Sequence, residues 1–145
     1  TVLPYPFHTK TSTDRAMAET LVPGITLTIT KTVGHNETAA AYGSGLHDVL
    51  STPAMIAFME QTAMKAVEAF LDMGEGTVGT EVRVKHLRAT PVGRMVTFRA
   101  TLTEVSGRRL LFTVEADDER GRIGEGTHER FIIDNERFMT KLREG

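Results

Sequence analysis

The chain has no cysteine and no long apolar run, and its charges nearly balance. Without cysteine there is no disulfide framework, no thiol nucleophile and no thiolate metal site. No stretch approaches the roughly 20 apolar residues of a membrane-spanning helix, and residues 1–14 lack the basic-then-apolar pattern of a secretory signal. A net charge of −2 gives no electrostatic basis for binding nucleic acid. We therefore expect a cytoplasmic protein with neither a nucleic-acid nor a membrane partner.

The length of 145 residues predicts one domain with a buried core. Residues 1–18 are polar, contain two prolines and are predicted to form an irregular arm, and residues 19–145 are predicted to form the domain. Alternation of apolar and polar residues predicts half-buried strands. The inward positions of three strands are Val82, Val84 and His86, then Val96, Phe98, Ala100 and Leu102, then Leu110, Phe112, Val114 and Ala116. Further strands are predicted over 25–30 and 123–133, with a short one over 38–42.

One long helix is predicted from Thr52 to Asp72, ended by Gly74-Glu75-Gly76. Turn-like residues around Gly107 and over 117–122 predict that the four strands after the helix pair consecutively as a meander. A short helix is predicted over 136–143. This order indicates an α+β fold, with one long helix packed on a five- to six-stranded, mostly antiparallel sheet. Such a helix, about 30 Å long, leaves part of the sheet uncovered, which favours a dimer.

Glu60 is a carboxylate inside the apolar arc of this helix. The apolar stripe at helical spacing consists of Met55, Ile56, Met59, Ala63, Ala66, Val67 and Phe70. A carboxylate on that side has to be paired, hydrogen-bonded or protonated, because desolvating a lone anion is costly. Glu60 is therefore either a boundary residue that reaches water or part of a functional site.

His86 continues the inward face of its strand and is predicted to point towards the helix. A half-buried neutral histidine can act as a general base or acid near neutral pH. The competing interpretation is a core histidine with satisfied hydrogen bonds. An inward Glu60 on the facing helix favours the functional interpretation, since the two groups could bond to each other or to a substrate.

Thr52 and Pro53 have the pattern of a helix N-cap followed by the first helical residue, although Ser51 competes for the cap. In a continuous helix Thr52 and Glu60 are about 12 Å apart, which is too far for a direct hydrogen bond. Three explanations stay open: the helix start deviates, the site combines residues from two subunits, or the two groups do unrelated jobs.

Two glycine-containing segments are weaker candidates. Gly124 and Gly126 lie in a predicted strand, where glycine often marks a bulge or a close backbone approach. Gly79 opens the strand of His86, and its N–H could act as an oxyanion donor. No group of residues has a metal-ligand spacing.

Three segments together resemble the hotdog-fold thioesterases, in the branch that includes fluoroacetyl-CoA thioesterase. They are Thr52–Glu60, then Gly74–His86 with Ala89-Thr90-Pro91, and Gly124–Arg130. The resemblance runs from about Lys31 to the C-terminus. It implies catalytic roles for Thr52, Glu60 and His86, and substrate contacts for Gly79 and Arg130. It also implies a homodimer with two active sites at the subunit interface, and no cofactor other than coenzyme A carried by the substrate.

The apolar lid of the fluoroacetyl-specific enzymes has no counterpart here. The positions that correspond to the lid phenylalanines are Gly43 and Leu46, and Tyr42 is the only aromatic residue nearby. We expect both positions to border the substrate, without selecting for fluorine.

The expected function is hydrolysis of a short-chain acyl-CoA thioester to free acid and coenzyme A. Two alternatives stay open on the same fold. One is a non-catalytic module that binds acyl-CoA, and the other is hydration or dehydration of an acyl-CoA.

Overall fold

The computed structural model describes residues 20–145, so the predicted arm of residues 1–18 lies outside the described part. In chain order the elements are β1 (Thr26–Thr32), a 3₁₀ turn (His35–Glu37), α1 (Ala39–Tyr42), α2 (Thr52–Glu68), β2 (Glu75–His86), β3 (Met95–Ser106), β4 (Arg109–Asp118), β5 (Gly121–Asp134) and α3 (Asn135–Glu144). No helix formed by residues 20–145 is long and apolar enough to cross a membrane.

The five strands form one antiparallel sheet in the order β1-β3-β4-β5-β2. Hairpins join β3 to β4 and β4 to β5, as the sequence predicts, with Ser106 opposite Arg109 and Asp118 opposite Gly121. The expectation that β2 and β3 also pair consecutively is wrong, because β2 pairs with β5 at the far edge. Period-two alternation identifies which face of a strand is buried, but it carries no information about its neighbour. Among the described strands, β2 therefore has one free edge.

The core lies between α2 and one face of the sheet. Met55, Met59, Ala63 and Val67 of α2 are almost fully buried against this face. The inward positions predicted for β3 and β4 are all buried, as period-two alternation requires: Val96, Phe98, Ala100, Leu102, Leu110, Phe112, Val114 and Ala116. Half-buried Glu60 and Ile56 lie at the margin of this apolar stripe.

Two boundaries differ from the sequence-based expectation. The long helix ends at Glu68 rather than Asp72, and β2 already begins at Glu75, inside the segment expected to end the helix. The short strand expected over 38–42 is instead one helical turn, α1, whose N-cap Thr38 accepts a hydrogen bond from Ala41 N–H. A threonine followed by three alanines favours this turn, since alanine is the best helix former.

The pairing of β2 with β5 contains one extra residue on β2. Gly79 lies opposite Arg130 and Glu81 lies opposite Glu129, so Thr80 is left over as a β-bulge. The Thr80 hydroxyl donates to a carboxylate oxygen of Glu129 at 2.8 Å, which ties the bulge to β5.

Candidate active site

Ser51, not Thr52, is the N-cap of α2. Ser51 Oγ accepts a hydrogen bond from Ala54 N–H at 3.1 Å, so Thr52 becomes the first helical residue and Pro53 the second. This corrects the expected cap by one position, and it releases the Thr52 hydroxyl from the helix. Thr52 Oγ1 instead lies 2.8 Å from His86 Nδ1, the last residue of β2.

His86 points towards the helix, as its position in the alternating strand predicts. The pKa of His86 is lowered, because burial of the ring disfavours its charged form more than a backbone hydrogen bond at Arg88 favours it. Nε2, the other ring nitrogen, is buried and has no hydrogen-bond partner among the described residues. His86 is therefore a neutral imidazole with one nitrogen held by Thr52 and the other available.

Thr52 and His86 line a cleft of about 340 Å³. The remaining wall comes from the segment before α2 and the segment after β2, including Ser44, Leu87 and Arg88. Gly43 and Leu46 lie in the same loop as Ser44, but neither is part of the lining. The Leu46 side chain is 91 % exposed, and Gly43 ends α1 in a left-handed conformation with φ of 71°.

Glu60 does not meet His86 within the chain. Its carboxylate forms no hydrogen bond or ion pair with any residue of the described part. Burial lowers the pKa of two residues of β5, His128 and Arg130, and the negative charge of Glu60 opposes this lowering in both.

Arg130 is held by three hydrogen bonds on the inward face of β5. Its Nε–H donates to Thr77 Oγ1 at 2.8 Å, Nη2 donates to Thr77 O at 2.9 Å, and Nη1 lies 3.1 Å from His128 Nε2. A guanidinium has five N–H groups and accepts no hydrogen bond. Two of the five are therefore left without an acceptor among residues 20–145, and the guanidinium interacts electrostatically with the Glu60 carboxylate.

The same contacts determine the tautomer of His128. Because Arg130 can only donate, His128 Nε2 is the acceptor, and the ring proton is on Nδ1. Nδ1–H then donates to the Glu81 carbonyl at 2.8 Å. The Gly79 Cα lies against this pair, because a Cβ there would come within 3.2 Å of His128 Cε1 and 3.4 Å of Arg130 Nη1.

The predicted residues thus form two clusters on one face of the sheet. Thr52 and His86 make the first, and Glu60, Gly79 and Arg130 make the second together with His128 and Thr77. Because α2 is continuous from Thr52 to Glu68, a deviating helix start does not explain the separation of Thr52 from Glu60. At the helix start, Pro53 has no N–H, and the N–H groups of Ala54 and Met55 are bonded to Ser51.

His128 and Thr77 are the residues that sequence reasoning missed. Both lie within the matched segments, but the resemblance implies no role for either. The alternation along β5 could have indicated the role of His128. Every second residue of this strand faces inward, namely Gly124, Gly126, His128, Arg130 and the buried Ile132.

No group of three or more histidine, aspartate or glutamate residues in the described part could hold a metal ion. The side chains of the two clusters can support proton transfer by a neutral histidine and a carboxylate, with hydrogen-bond donation by Arg130.

Comparison with known proteins agrees with the resemblance seen in the sequence. The model of a family described as fluoroacetyl-CoA-specific thioesterase matches residues 33–136. The fluoroacetyl-CoA thioesterase of Streptantibioticus cattleyicolor is 40% identical over 114 residues, which are 79% of this chain and 82% of that protein. A solved structure of a fluoroacetyl-CoA thioesterase has a TM-score of 0.82 at 36% identity, covering 87% of this chain and 98% of its own.

A hot-dog-like protein from Thermanaerovibrio acidaminovorans has a TM-score of 0.78 at 27% identity and covers 84% of this chain and 90% of its own. These similarities confirm the predicted hotdog fold. The chain belongs to the fluoroacetyl-CoA-specific thioesterase family.

Proposed function

We propose that this protein hydrolyses acyl-CoA thioesters to free acid and coenzyme A. The observation that carries the proposal is the 2.8 Å contact between Thr52 Oγ1 and His86 Nδ1 in a cleft at the start of the long helix. In a member of a thioesterase family, this contact supplies a hydroxyl and a neutral imidazole beside a space for the substrate. No cofactor is required, because coenzyme A enters as part of the substrate.

Hydrolysis needs a base for water and an acid for the departing sulfur. Glu60 would take a proton from water as the water oxygen attacks the thioester carbonyl carbon, or it would attack that carbon itself and form an anhydride that water then opens. Breaking of the C–S bond leaves a thiolate. Because the His86 ring is neutral, Nε2 would first accept the proton that water releases and would then pass it to the thiolate. Thr52 orients the ring or the carbonyl. The positive end of the α2 dipole, with Gly79 N–H, stabilises the developing oxyanion, and Arg130 contacts the acyl portion.

Two subunits would bring the two clusters together. Antiparallel pairing of two free β2 edges about a twofold axis places the His86 end of one strand beside the Gly79 end of the other. The Thr52–His86 pair of one subunit would then meet the partner subunit's Glu60 and Arg130. This homodimer with shared sites accounts for a carboxylate that lies about 12 Å along the helix from Thr52.

The acyl group is proposed to be short, with no selection for fluorine. The loop of Gly43 and Leu46 offers no aromatic side chain to form an apolar lid, and Leu46 is almost fully exposed in the single chain. We therefore expect acetyl-CoA and fluoroacetyl-CoA to be hydrolysed with similar efficiency.

The first test measures release of the coenzyme A thiol from acetyl-, fluoroacetyl-, propionyl- and longer acyl-CoAs. Glu60→Ala and His86→Ala should each lower kcat/KM at least 100-fold, since each removes a group that takes part in proton transfer. Glu68→Ala and His47→Ala are matched controls, because both side chains are exposed and lie outside the clusters. Wild-type rates no higher than those of the two site variants across the panel would refute hydrolysis. Binding without turnover, by calorimetry, would then support a binding module, and turnover of an enoyl-CoA would support a hydratase.

The second test asks whether the site is shared between subunits. Glu60→Ala and His86→Ala proteins are each inactive in the proposed scheme, but mixed dimers contain one site with both residues intact. Dissociating and reassociating an equal mixture should restore about a quarter of wild-type activity, because half of the dimers are mixed and one of their two sites is complete. A mixture as inactive as its components would show that each site is built within one chain.

A further inference from the structure

We propose that Asp118, on the hairpin between β4 and β5, is a positioning residue that holds the segment after His86 against the candidate active site. The inference rests on the proposed hydrolysis, since its consequence is read out in that reaction. Asp118 itself does not line the cleft.

Asp118 has a buried carboxylate with three donors directed at it. Arg88 Nη2 lies 2.7 Å from Oδ1, Arg120 N–H donates to Oδ1 at 2.8 Å, and the Thr90 hydroxyl donates to Oδ2 at 2.9 Å. The Asp118 side chain is 5% exposed, and Thr90 is fully buried. Arg88 Nη2 also reaches the Gly121 carbonyl at 3.0 Å. One aspartate thus connects the hairpin to both ends of the short segment 88–90.

The segment 87–90 in turn touches the site on two sides. Leu87 and Arg88 line the cleft beside His86, and a backbone hydrogen bond at Arg88 acts on the His86 ring. On the other side, the Thr90 carbonyl accepts a hydrogen bond from Leu50 N–H at 2.8 Å. Leu50 immediately precedes Ser51, the N-cap of α2. Displacement of this segment would therefore move the walls of the ring pocket and the start of the helix that carries Thr52.

The ionised form of Asp118 is the one that this arrangement favours. Burial alone would raise its pKa, but the hydrogen bonds from Arg120 and Thr90 and the charge of Arg88 outweigh burial and lower it. Charge-assisted hydrogen bonds are about twice as strong as neutral ones, so a neutral isostere keeps the shape but weakens the connection. That difference makes asparagine an informative replacement.

The test compares Asp118→Asn with Asp117→Asn in the full chain. Asp117 is the neighbouring aspartate, and its carboxylate pairs with Arg122 rather than with the segment after His86. In Asp118→Asn we expect kcat to fall about tenfold with little change in KM, because small misplacement of reacting groups is costly while binding contacts remain. We also expect the pKa of His86, followed by NMR titration of the ring, to rise towards 6.5 as water reaches the ring. Asp117→Asn should leave both quantities unchanged.

A purely structural role would lower stability without changing either quantity in the folded enzyme. Unaltered kcat and unaltered His86 pKa in folded Asp118→Asn would therefore overturn the proposal. If Asp118→Asn does not fold, Thr90→Val removes one of the three bonds and decides the question by the same two measurements. If the wild-type protein does not hydrolyse acyl-CoA, the proposed function is refuted. The His86 pKa of Asp118→Asn, compared with that of the wild type, would still test the positioning role.

Discussion

Gly124 and Gly126 allow a direct test of how closely β5 is packed. A Cβ at position 124 would lie 2.5 Å from Met55 Sδ and 2.9 Å from Met55 Cε. A Cβ at position 126 would lie 2.0 Å from the Arg83 carbonyl oxygen and 2.6 Å from Val84 Cα. The first obstacle is the end of a flexible side chain, and the second is the backbone of the neighbouring strand.

The two alanine variants should therefore differ in stability. Favourable carbon contacts lie at about 3.5–4.0 Å, so both substitutions create an overlap of 1 Å or more. In Gly124→Ala the methionine can rotate away, and the cost should be about 1 kcal/mol, at the lower end of the range for an overfilled core. In Gly126→Ala β2 and β5 must separate, which sacrifices ladder hydrogen bonds and should cost more than about 3 kcal/mol.

Urea denaturation followed by circular dichroism measures both differences, and acyl-CoA hydrolysis reports the effect on the site. Because β2 carries His86, Gly126→Ala should also lose activity in whatever fraction remains folded, whereas Gly124→Ala should keep most of it. Equal stabilities for the two variants, or a larger loss of stability in Gly124→Ala, would refute the reasoning. They would show that the Met55 side chain does not yield more easily than the backbone of β2.

Three further predictions concern the cap, the buried arginine and the histidines. Ser51→Ala should lower the free energy of unfolding by about 1 kcal/mol, because Ala54 N–H loses its acceptor, and it should reduce kcat through the adjacent Thr52; urea denaturation and thiol release measure the two effects. Thr77→Val should cost about 1–3 kcal/mol in the same denaturation assay, because the Nε–H of buried Arg130 loses its acceptor. The pKa values of His86 and His128 are lowered in the folded protein, so the unfolded chain binds more protons once the pH falls below 6.5. The free energy of unfolding should then decrease between pH 6.5 and 5.5 and change little between pH 7 and 8; a flat profile across pH 6.5 would contradict the lowered pKa values.

Much of the fold follows from local patterns. The inward positions of β3 and β4 could be predicted because one face of each strand is buried, which forces a period of two. The hairpin turns could be predicted because Gly107 and the polar residues after Asp118 favour reversal. The strand that pairs with β2 could not be predicted, because its pairing with β5 depends on contacts between segments far apart in the chain.

The orientation of one candidate site residue could be predicted, but the contacts among the candidate residues could not. His86 could be placed facing the helix, since its strand alternates up to that residue. The partner of His86 depended on a choice between Ser51 and Thr52 as the cap, and the sequence allows both. The Arg130–His128–Thr77 network depended on the register between β2 and β5, which no local pattern specifies.

The single extra residue at Thr80 lets the side chains of both halves of β2 face the same side of the sheet. Thr77 and Gly79 are odd-numbered, whereas Val82, Val84 and His86 are even-numbered, and a regular strand would turn these two sets to opposite faces of the sheet. The bulge adds one position and cancels the mismatch, so the arginine cluster and the imidazole both face α2. Taking Thr80 into the ladder without the bulge would shift the two sets out of phase, and either His86 or Thr77 would face away from the helix. Deleting Thr80 would instead leave a regular strand in which both sets still face α2.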